Sequence, residues 1–126
     1  MDCIFCKIAN KQIPSNIVFE DDNIIAFEDV KPQAPIHILI IPKQHIEKFQ
    51  DISFKDEDLL EKDKELLTGS TLIMKMMGVI PNLALTKGID LSGYRVVINN
   101  GKDAGQEVSH LHIHLLGGRQ MQWPPG

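Results

Sequence analysis

The chain has 126 residues, of which 43% are hydrophobic and 24% charged, and its formal net charge is −4. This length suits one domain, which buries close to two thirds of its unfolded surface and needs no disulfide framework. The negative charge leaves no basic surplus for contact with phosphate backbones, so a nucleic acid is not expected as a partner.

Two cysteines, Cys3 and Cys6, form a CxxC motif at the start of the chain. A redox pair would need a thioredoxin-like βαβ pattern after it, and the sequence lacks one. Half of a zinc site and a pair of reduced structural thiols fit the spacing equally well. Asp2 stands where a signal peptide would be basic, and no apolar region follows, so we predict a cytoplasmic location.

Two β-prone runs at 17–20 and 23–27 predict a hairpin, because the acidic pair Asp21-Asp22 between them favours a turn. The loop that follows contains Pro32 and Pro35, and each proline keeps the preceding residue out of a helix. The hairpin therefore leads into a further extended segment.

The run 36–41 is almost continuously aliphatic, which indicates a strand covered on both faces. His37 interrupts this run. Considered alone, it predicts a hydrogen-bonded core residue whose partner must be polar and close.

From residue 51 to about residue 85 the apolar residues recur at steps of three and four, which predicts helix. Ser53 is the expected N-cap, and Pro81 should end or kink the helix near Met77. Lys75 and Pro81 interrupt the most apolar window, so no membrane span is expected. The predicted buried stripe consists of Leu66, Leu67, Ile73, Met74, Met77 and Ile80.

A further strand is predicted at 94–99, followed by a glycine-containing turn and then by the histidines His110, His112 and His114 in strict alternation with aliphatic residues. We expect the strand to start at residue 108 or 109 and to place the three rings on one face, lining a cleft. Two histidines at this spacing can converge on one zinc ion, but all three cannot share it, so at least one imidazole is left for acid–base or nucleophilic chemistry.

The histidine segment, together with Asn99 and Gly105-Gln106 before it, resembles the histidine triad (HIT) superfamily. The similarity extends to the opening 3–8, to 29–45, to 94–97 and to the ending 117–126, which is similar to the Hint branch of nucleoside phosphoramidases. The resemblance implies a single HIT domain over residues 1–126 in the α+β class. It implies an antiparallel sheet of about five strands with one long helix and a short one, and a sheet that extends across a homodimer.

By this resemblance His112 is the nucleophile that forms a nucleotidyl-histidine, and His114 contacts the phosphate and helps to protonate the leaving amine. His37 is expected to support the triad rings without contacting the substrate itself. Asp29 is expected to accept both ribose hydroxyls. The remaining nucleotide-binding residues are Asn99, Gly105, Gln106, Glu107 and Val108 at the phosphate, and Ile4, Phe5, Val30 and Leu39 around the purine.

Glu107 departs from the family pattern, because Hint proteins of the eukaryotic kind have a serine there. A carboxylate near a phosphate is repulsive unless it turns outward or is protonated. We therefore expect the backbone N–H of Glu107, and not its side chain, to contact phosphate.

The resemblance also implies a structural zinc site formed by Cys3, Cys6, His45 and His110, while the chemistry itself needs no metal. The tail 119–126 contains Trp123, which we expect to pack on the partner subunit near its site, as a nucleotide-binding residue. No membrane partner is expected.

The resulting prediction is a homodimeric purine nucleoside phosphoramidase, a hydrolase that acts on the P–N bond of AMP- or GMP-linked amines. The alternatives are a dinucleoside polyphosphate hydrolase, a nucleotide-binding adaptor with weak activity, and a hydrolase that uses a zinc ion held by the triad.

Overall fold

The computed structural model describes residues 3–55 and 68–126. In this part of the chain, five strands form one antiparallel sheet in the order β1-β2-β3-β5-β4. The α+β class and the sheet are as predicted, whereas the extension of the sheet across a homodimer stays a prediction. The elements are α1 (Ile4–Ala9), β1 (Ile17–Glu20), β2 (Ile24–Glu28), β3 (Ile36–Pro42), a 3-10 turn (Phe49–Asp51), α2 (Gly69–Gly78), α3 (Ile80–Thr86), β4 (Tyr94–Ile98) and β5 (Ile113–Gly117).

The predicted hairpin is present, and an aspartate forms its turn. One carboxylate oxygen of Asp21 accepts hydrogen bonds from the N–H groups of Asn23, at 2.8 Å, and Ile24, at 2.9 Å. This local bonding competes with helix and favours a tight turn. β1 and β2 therefore pair directly, and β2 continues the sheet to β3.

The central strand β3 is covered on both faces, as its aliphatic run predicted. On one face, Ile38 and Ile40 pack in a core with α2 and α3. On the other face, Leu39 and Ile41 pack against Phe5 of α1. The helices on the two sides bury the alternate residues of the same strand, so the histidines on the α1 side lie on a sheet that is packed on both faces.

The predicted long helix is interrupted, and part of it (56–67, with Leu66 and Leu67) lies outside the described residues. Thr68 caps α2, because its side chain accepts a hydrogen bond from the N–H of Thr71 at 3.2 Å. The turn that Ser53 was predicted to cap lies outside the described residues, so that cap stays a prediction. α2 ends at Gly78, and Pro81 lies in the first turn of α3, as proline tolerates. Among the described helices, none is long and apolar enough to cross a membrane.

The predicted buried stripe of this region was partly wrong. Met74 is 68% exposed and Met77 is 42% exposed. Ile80 is buried as predicted, and Ile73 packs partly buried against the same core. The other residues that α2 and α3 bury are Gly69, Leu72, Met76, Leu83 and Ala84. Steps of three and four occur on more than one face of an apolar helix, so the sequence did not distinguish which face the sheet covers.

The predicted start of the histidine strand was also wrong, because β5 begins at Ile113 and not at residue 108 or 109. Ile113 is the first residue of this segment to pair with β3 and β4. Upstream, the N–H of Leu111 donates to the carbonyl of Ile46 at 2.6 Å, which takes the chain out of the ladder. The predicted alternation still holds, because Leu111 packs with Ile113 in the helix-side core while His112 contacts Phe5 on the opposite side.

Candidate active site

His112 lies just before β5 and is buried, with 6% of its surface exposed. Its Nδ1 is 2.6 Å from the carbonyl oxygen of His110, which can only accept. The Nδ1 of the neutral ring therefore carries the hydrogen, and Nε2 keeps its lone pair. A neutral imidazole fixed in this tautomer is a nucleophile with a defined attacking atom.

His114 has the opposite tautomer, because a chain of hydrogen bonds sets it. The N–H of Gln33 donates to Nδ1 of His37 at 3.0 Å, so the proton of His37 is on Nε2. This Nε2 is 2.9 Å from Nδ1 of His114, to which it donates. His114 therefore carries its own proton on Nε2. The two triad rings, with centroids 4.9 Å apart, are thus an acceptor and a donor side by side.

Burial governs the charge of these rings. Burial is the largest cause that lowers the pKa of His114 to about 4; nearby His112 and His37 lower it further, and Asp29 opposes the shift. Burial also lowers the pKa of His37, again opposed by Asp29. Both rings are therefore neutral near pH 7, as the tautomer assignment requires.

Asp29 lies in the same cluster, with one carboxylate oxygen 3.5 Å from Nε2 of His37. Its other oxygen accepts a hydrogen bond from the N–H of Lys31 at 2.8 Å. The carboxylate is thus held at the edge of the histidine cluster, where an incoming hydroxyl group can still bind to it. Its predicted contact with ribose stays a prediction.

Asn99 follows β4 directly, and His112 precedes β5. The last paired residues of these strands are Ile98 and Ile113. Asn99 and His112 therefore lie next to each other where the two strands separate. This places Asn99 near His112 along the sheet, while its phosphate contact stays a prediction.

The loop between β4 and β5 borders two cavities, of about 380 and about 420 Å³. Gly105, Gln106 and Glu107 line the first, and Glu107 and Val108 line the second. Glu107 is exposed, so its carboxylate can remain in solvent, and the contact of its backbone N–H with phosphate stays a prediction. The loop turns at Gly105, where φ is +84°, a conformation that glycine adopts without strain.

The four predicted purine-contacting residues divide into two groups. Phe5 and Leu39 are buried in one cluster, and Phe5 also packs edge-on against His112 at a centroid distance of 5.1 Å. Ile4 is 50% exposed and Val30 is 90% exposed. Two residues thus form a fixed apolar floor, and two others leave apolar area that a planar base could cover.

Trp123 is 81% exposed, so it does not contribute to the core of its own chain. The Arg95 guanidinium lies over its ring at 6.0 Å, the outer limit of a cation–π contact. The location of the tail at a partner's site stays a prediction.

A second cluster joins three distant parts of the chain. Cys3 Sγ is 3.3 Å from His110 Nδ1, and Cys6 Sγ is 3.3 Å from His45 Nδ1 and 3.6 Å from His110 Nδ1. All four ligand atoms lie within 4.8 Å of one another. Tetrahedral zinc with two sulfur and two nitrogen ligands would separate S from N by about 3.5 Å, given bonds of about 2.3 and 2.0 Å.

The orientation of the His110 ring suits a zinc ligand. It is fully buried, and its Nε2 lies 2.8 Å from the carbonyl oxygen of Pro42, to which it donates. The lone pair of Nδ1 therefore points toward the sulfur atoms, which is the usual orientation of a zinc-binding histidine with a backbone acceptor behind it. The residues present fit a structural zinc ion, and its binding stays a prediction.

Asp29, His37 and His114 also lie within 4.8 Å of one another, and together resemble a metal-binding set. Their hydrogen bonds favour another interpretation. The Gln33 N–H occupies Nδ1 of His37, so the atom that faces His114 carries a proton and has no lone pair for a cation. This set is better described as a proton-bearing hydrogen-bond chain.

Three backbone partners of the histidines were not predicted from the sequence: the N–H of Gln33, the carbonyl of Pro42 and the carbonyl of His110. A further contact that was not predicted is that of Arg119, whose Nε donates to the carbonyl of Gln33 at 3.0 Å and so joins the tail to the loop before β3. Backbone partners leave no pattern in a sequence, although the burial of His37 did require a close polar group.

Comparisons with known proteins agree on one family. The HIT domain family model matches residues 10–121. An uncharacterized HIT-like protein of Synechococcus elongatus is 46% identical over 125 residues, which are 99% of this chain and 97% of the relative. Adenylylsulfatase HINT1 of Arabidopsis thaliana is 43% identical over 123 residues, 98% of this chain and 76% of the relative. The crystal structure of a HIT family hydrolase from Legionella pneumophila is 48% identical, with a TM-score of 0.85 over 99% of this chain and 100% of that one.

Proposed function

The chain belongs to the HIT domain family, and from this we propose that it is a purine nucleoside phosphoramidase. It hydrolyses the P–N bond of AMP- or GMP-linked amines through a nucleotidyl-histidine. The observation that carries the proposal is the opposite tautomers of two neighbouring rings, which provide an unprotonated Nε2 on His112 and a protonated Nε2 on His114. The printed descriptions of relatives as a hydrolase and as an adenylylsulfatase support the broader class of nucleotide hydrolase.

In the first step, Nε2 of His112 attacks the α-phosphorus. A P–N bond to the histidine forms while the P–N bond to the amine breaks, and the electron pair of the broken bond remains on the amine nitrogen. The Nε2–H of His114 donates a proton to this nitrogen, because an unprotonated amine anion is a poor leaving group, and the negative charge left on His114 is balanced by the positive charge of the phosphorylated His112 ring beside it.

In the second step, water attacks the same phosphorus. One proton of the water returns to Nε2 of His114, the bond from phosphorus to His112 breaks, and the nucleoside monophosphate leaves. The amide of Asn99 and the N–H groups of Glu107 and Val108 hold the phosphate oxygens through both steps. Dividing one displacement into two allows each step to use a neutral, preorganised ring.

The rest of the nucleotide extends from the phosphate toward α1. The carboxylate of Asp29 accepts the ribose hydroxyls. The purine lies between the buried side chains of Phe5 and Leu39 and the exposed side chains of Ile4 and Val30. Apolar contacts of this kind recognise the base without distinguishing strongly between adenine and guanine.

The proposal includes a structural zinc ion held by Cys3, Cys6, His45 and His110. These ligands join α1 to the segment after β3 and to the segment before β5. When bound, the ion supplies structural stability, and no protein ligand position is left open for substrate.

We propose further that the protein is a homodimer in which the tail 119–126 reaches the partner's site. Two features support this arrangement. β4 is an edge strand that pairs only with β5 among the described residues, and the large Trp123 ring is exposed. An unpaired edge and an exposed aromatic ring both favour association.

Steady-state turnover of three AMP compounds tests the function. We expect a higher kcat/KM for AMP joined to lysine through a P–N bond than for diadenosine tetraphosphate. Adenylyl sulfate is the third compound, because the 43% identical relative is an adenylylsulfatase. A clear preference for diadenosine tetraphosphate would establish the dinucleotide hydrolase alternative. Nucleotide binding without turnover of any compound would establish the adaptor alternative.

A further inference from the structure

The loop between β4 and β5 is joined to the segment after β3 by the side chain of Gln106. Its amide oxygen accepts a hydrogen bond from the N–H of Gly101 at 2.8 Å. Its amide nitrogen donates to the carbonyl of Glu47 at 2.7 Å and to the carbonyl of Val108 at 3.0 Å. Both hydrogens of the amide are therefore used, and the oxygen already has a partner. A group bonded in this way has little capacity left for a ligand.

The backbone of the same loop has a complementary pattern. The N–H of Gly105 donates to the carbonyl of Lys102 at 3.0 Å, and the N–H of Gln106 donates to the carbonyl of Gly101 at 3.1 Å. These two donors are satisfied inside the loop. Within the described part of the chain, the N–H groups of Glu107 and Val108 have no acceptor. The N–H groups of Gly105 and Gln106 are thus bonded within the loop, and those of Glu107 and Val108 remain available to a ligand.

The Gln106 amide fixes the direction of these two donors. Its nitrogen donates to the carbonyl of Val108, which follows both N–H groups along the chain. Its oxygen accepts from the N–H of Gly101 at the start of the turn. Its third bond attaches the loop to Glu47, two residues after His45. Without the amide, residues 101–108 would keep only the two internal backbone bonds, although Asn100 and Leu111 would still attach the ends of the loop to Gln50 and Ile46. Rotation of the 106–107 and 107–108 peptides would then turn the two donors away from the site.

We propose that Gln106 is a positioning residue that sets the affinity for phosphate through the N–H groups of Glu107 and Val108, without contacting the ligand itself. This inference rests on the proposed function, because it assumes that these groups bind the nucleotide phosphate. It replaces the predicted direct contact of Gln106 with nucleotide by an indirect one. The structural reason is that all polar atoms of the side chain are already bonded within the protein.

Two substitutions test the proposal, with calorimetric binding of AMP and of adenosine as the readout. Gln106→Ala removes all three hydrogen bonds. Gln106→Glu keeps the length of the side chain and the acceptor for Gly101, but places a carboxylate against the carbonyls of Glu47 and Val108. We expect both variants to bind AMP about ten-fold more weakly than the original chain, while adenosine binding is unchanged because adenosine has no phosphate to orient.

The control is Gln12→Ala, which removes an exposed glutamine side chain far along the chain from the loop. It should leave both affinities unchanged. Equal losses for AMP and adenosine in the Gln106 variants would show a general structural role and would overturn the proposal. Variants that bind AMP as tightly as the original chain would overturn it as well, and in both cases the proposed function would stand.

A second measurement uses the original chain and stays decisive if the variants fail to fold. In a titration with AMP followed by backbone ¹⁵N NMR, the amide signals of Glu107 and Val108 should move strongly, and those of Gly105 and Gln106 much less. Large shifts at Gly105 and Gln106 alone would contradict the inferred division of donors. If the original chain binds AMP no better than adenosine, the phosphate site of the proposed function fails, and this inference fails with it.

Discussion

His112 and His114 are two residues apart, and their rings have opposite tautomers because their hydrogen-bond partners differ. A backbone carbonyl accepts from His112, whereas the ring of His37 donates to His114. The donor and acceptor atoms are therefore set by the His110 carbonyl and by His37, and not by contact between the two rings. At the scale of single residues, the chemistry depends on His37 and on the Gln33 N–H bonded to it as well as on the two triad rings.

Two substitutions of His37 distinguish the effect of its hydrogen bond on the rate from the effect of its side-chain volume. His37→Leu fills the buried space but has no donor for Nδ1 of His114, and we expect kcat to fall about ten-fold with little change in KM. His37→Gln has an amide N–H that can replace the lost donor, so it should retain more of kcat than the leucine variant. Steady-state kinetics of the two variants provide the measurement, and equal rates in both would contradict the tautomer role.

The low pKa of His114 predicts a dependence of stability on pH. The pKa is about 4 in the folded protein and 6.5 in an ordinary histidine, so between these values the unfolded chain binds more protons. The contribution of His114 is therefore fully present above pH 6.5 and is lost as the pH falls toward 4. Its slope stays below about 1.4 kcal/mol per pH unit, because a single ring binds at most one more proton in the unfolded chain than in the folded protein.

Urea unfolding at neutral pH and at about pH 5 measures this effect. The free energy of unfolding should be lower at the acidic pH, and the difference should shrink in His114→Asn, which has no titrating ring. An unchanged pH dependence in this variant would show that His114 titrates normally in the folded protein.

At the scale of elements, the start of α2 is fixed by a close approach of two backbones. A Cβ atom added to Gly69 would lie 1.9 Å from the carbonyl oxygen of Ser53 and 2.5 Å from the side chain of Ile52. No side chain fits there without moving the helix or the preceding segment. Gly78, at the other end of α2, has nothing within 4 Å of the same position.

These two glycines form a matched pair of substitutions. Gly69→Ala should lower the free energy of unfolding by about 2 kcal/mol, because the backbone must shift. Gly78→Ala should leave it unchanged or raise it by up to about 1 kcal/mol, since alanine favours helix over glycine. Chemical denaturation of both variants checks the prediction, and a neutral Gly69→Ala would mean that α2 can slide away from the Ser53 backbone.

At the scale of the whole molecule, the cysteine–histidine cluster connects segments that the sheet alone does not hold together. α1 covers one face of the sheet and carries Cys6 as well as the predicted base-contacting residues Ile4 and Phe5. A zinc ion in this cluster would stabilise the position of α1. At a zinc concentration about 1,000-fold above Kd, the gain is about 4 kcal/mol.

Removing metal should therefore affect stability more than chemistry. We expect a chelator to lower the Tm by several degrees and Cys6→Ser to do the same, while kcat of the protein that remains folded changes little. Thermal unfolding and single-turnover rates of the same samples give the comparison. Loss of the chemical rate at unchanged folding would instead favour a hydrolase that uses a metal ion held by the triad.

Local patterns predicted the parts of this fold that local forces determine. The alternation of His112 with Ile113 assigned their faces correctly, because the side chains of extended chain alternate whatever its partners are. The aliphatic run of β3 predicted a strand buried on both faces. The end of the helix before Pro81 followed from the missing N–H of proline. In contrast, Met74 and Met77 were assigned to the core because an apolar helix offers several plausible faces.

The site depends on long-range contacts, which local patterns do not contain. Cys3 and His110 are 107 residues apart, and His37 and His114 are 77 residues apart. Only the family resemblance suggested that these pairs meet. The resemblance did not indicate the backbone groups that set the tautomers, nor the role of Gln106 as a positioning residue. Both follow from the geometry of the folded chain rather than from residue type.

The central claim is that Nε2 of His112 forms a bond to phosphorus. The direct test is to stop the protein by rapid acid-free denaturation while it turns over an AMP–amine phosphoramidate, and to locate the nucleotide by peptide mass spectrometry. We predict an AMP adduct on the peptide that contains His112, and none after His112→Ala. An adduct on any other residue, or full turnover by the His112→Ala variant, would contradict the account.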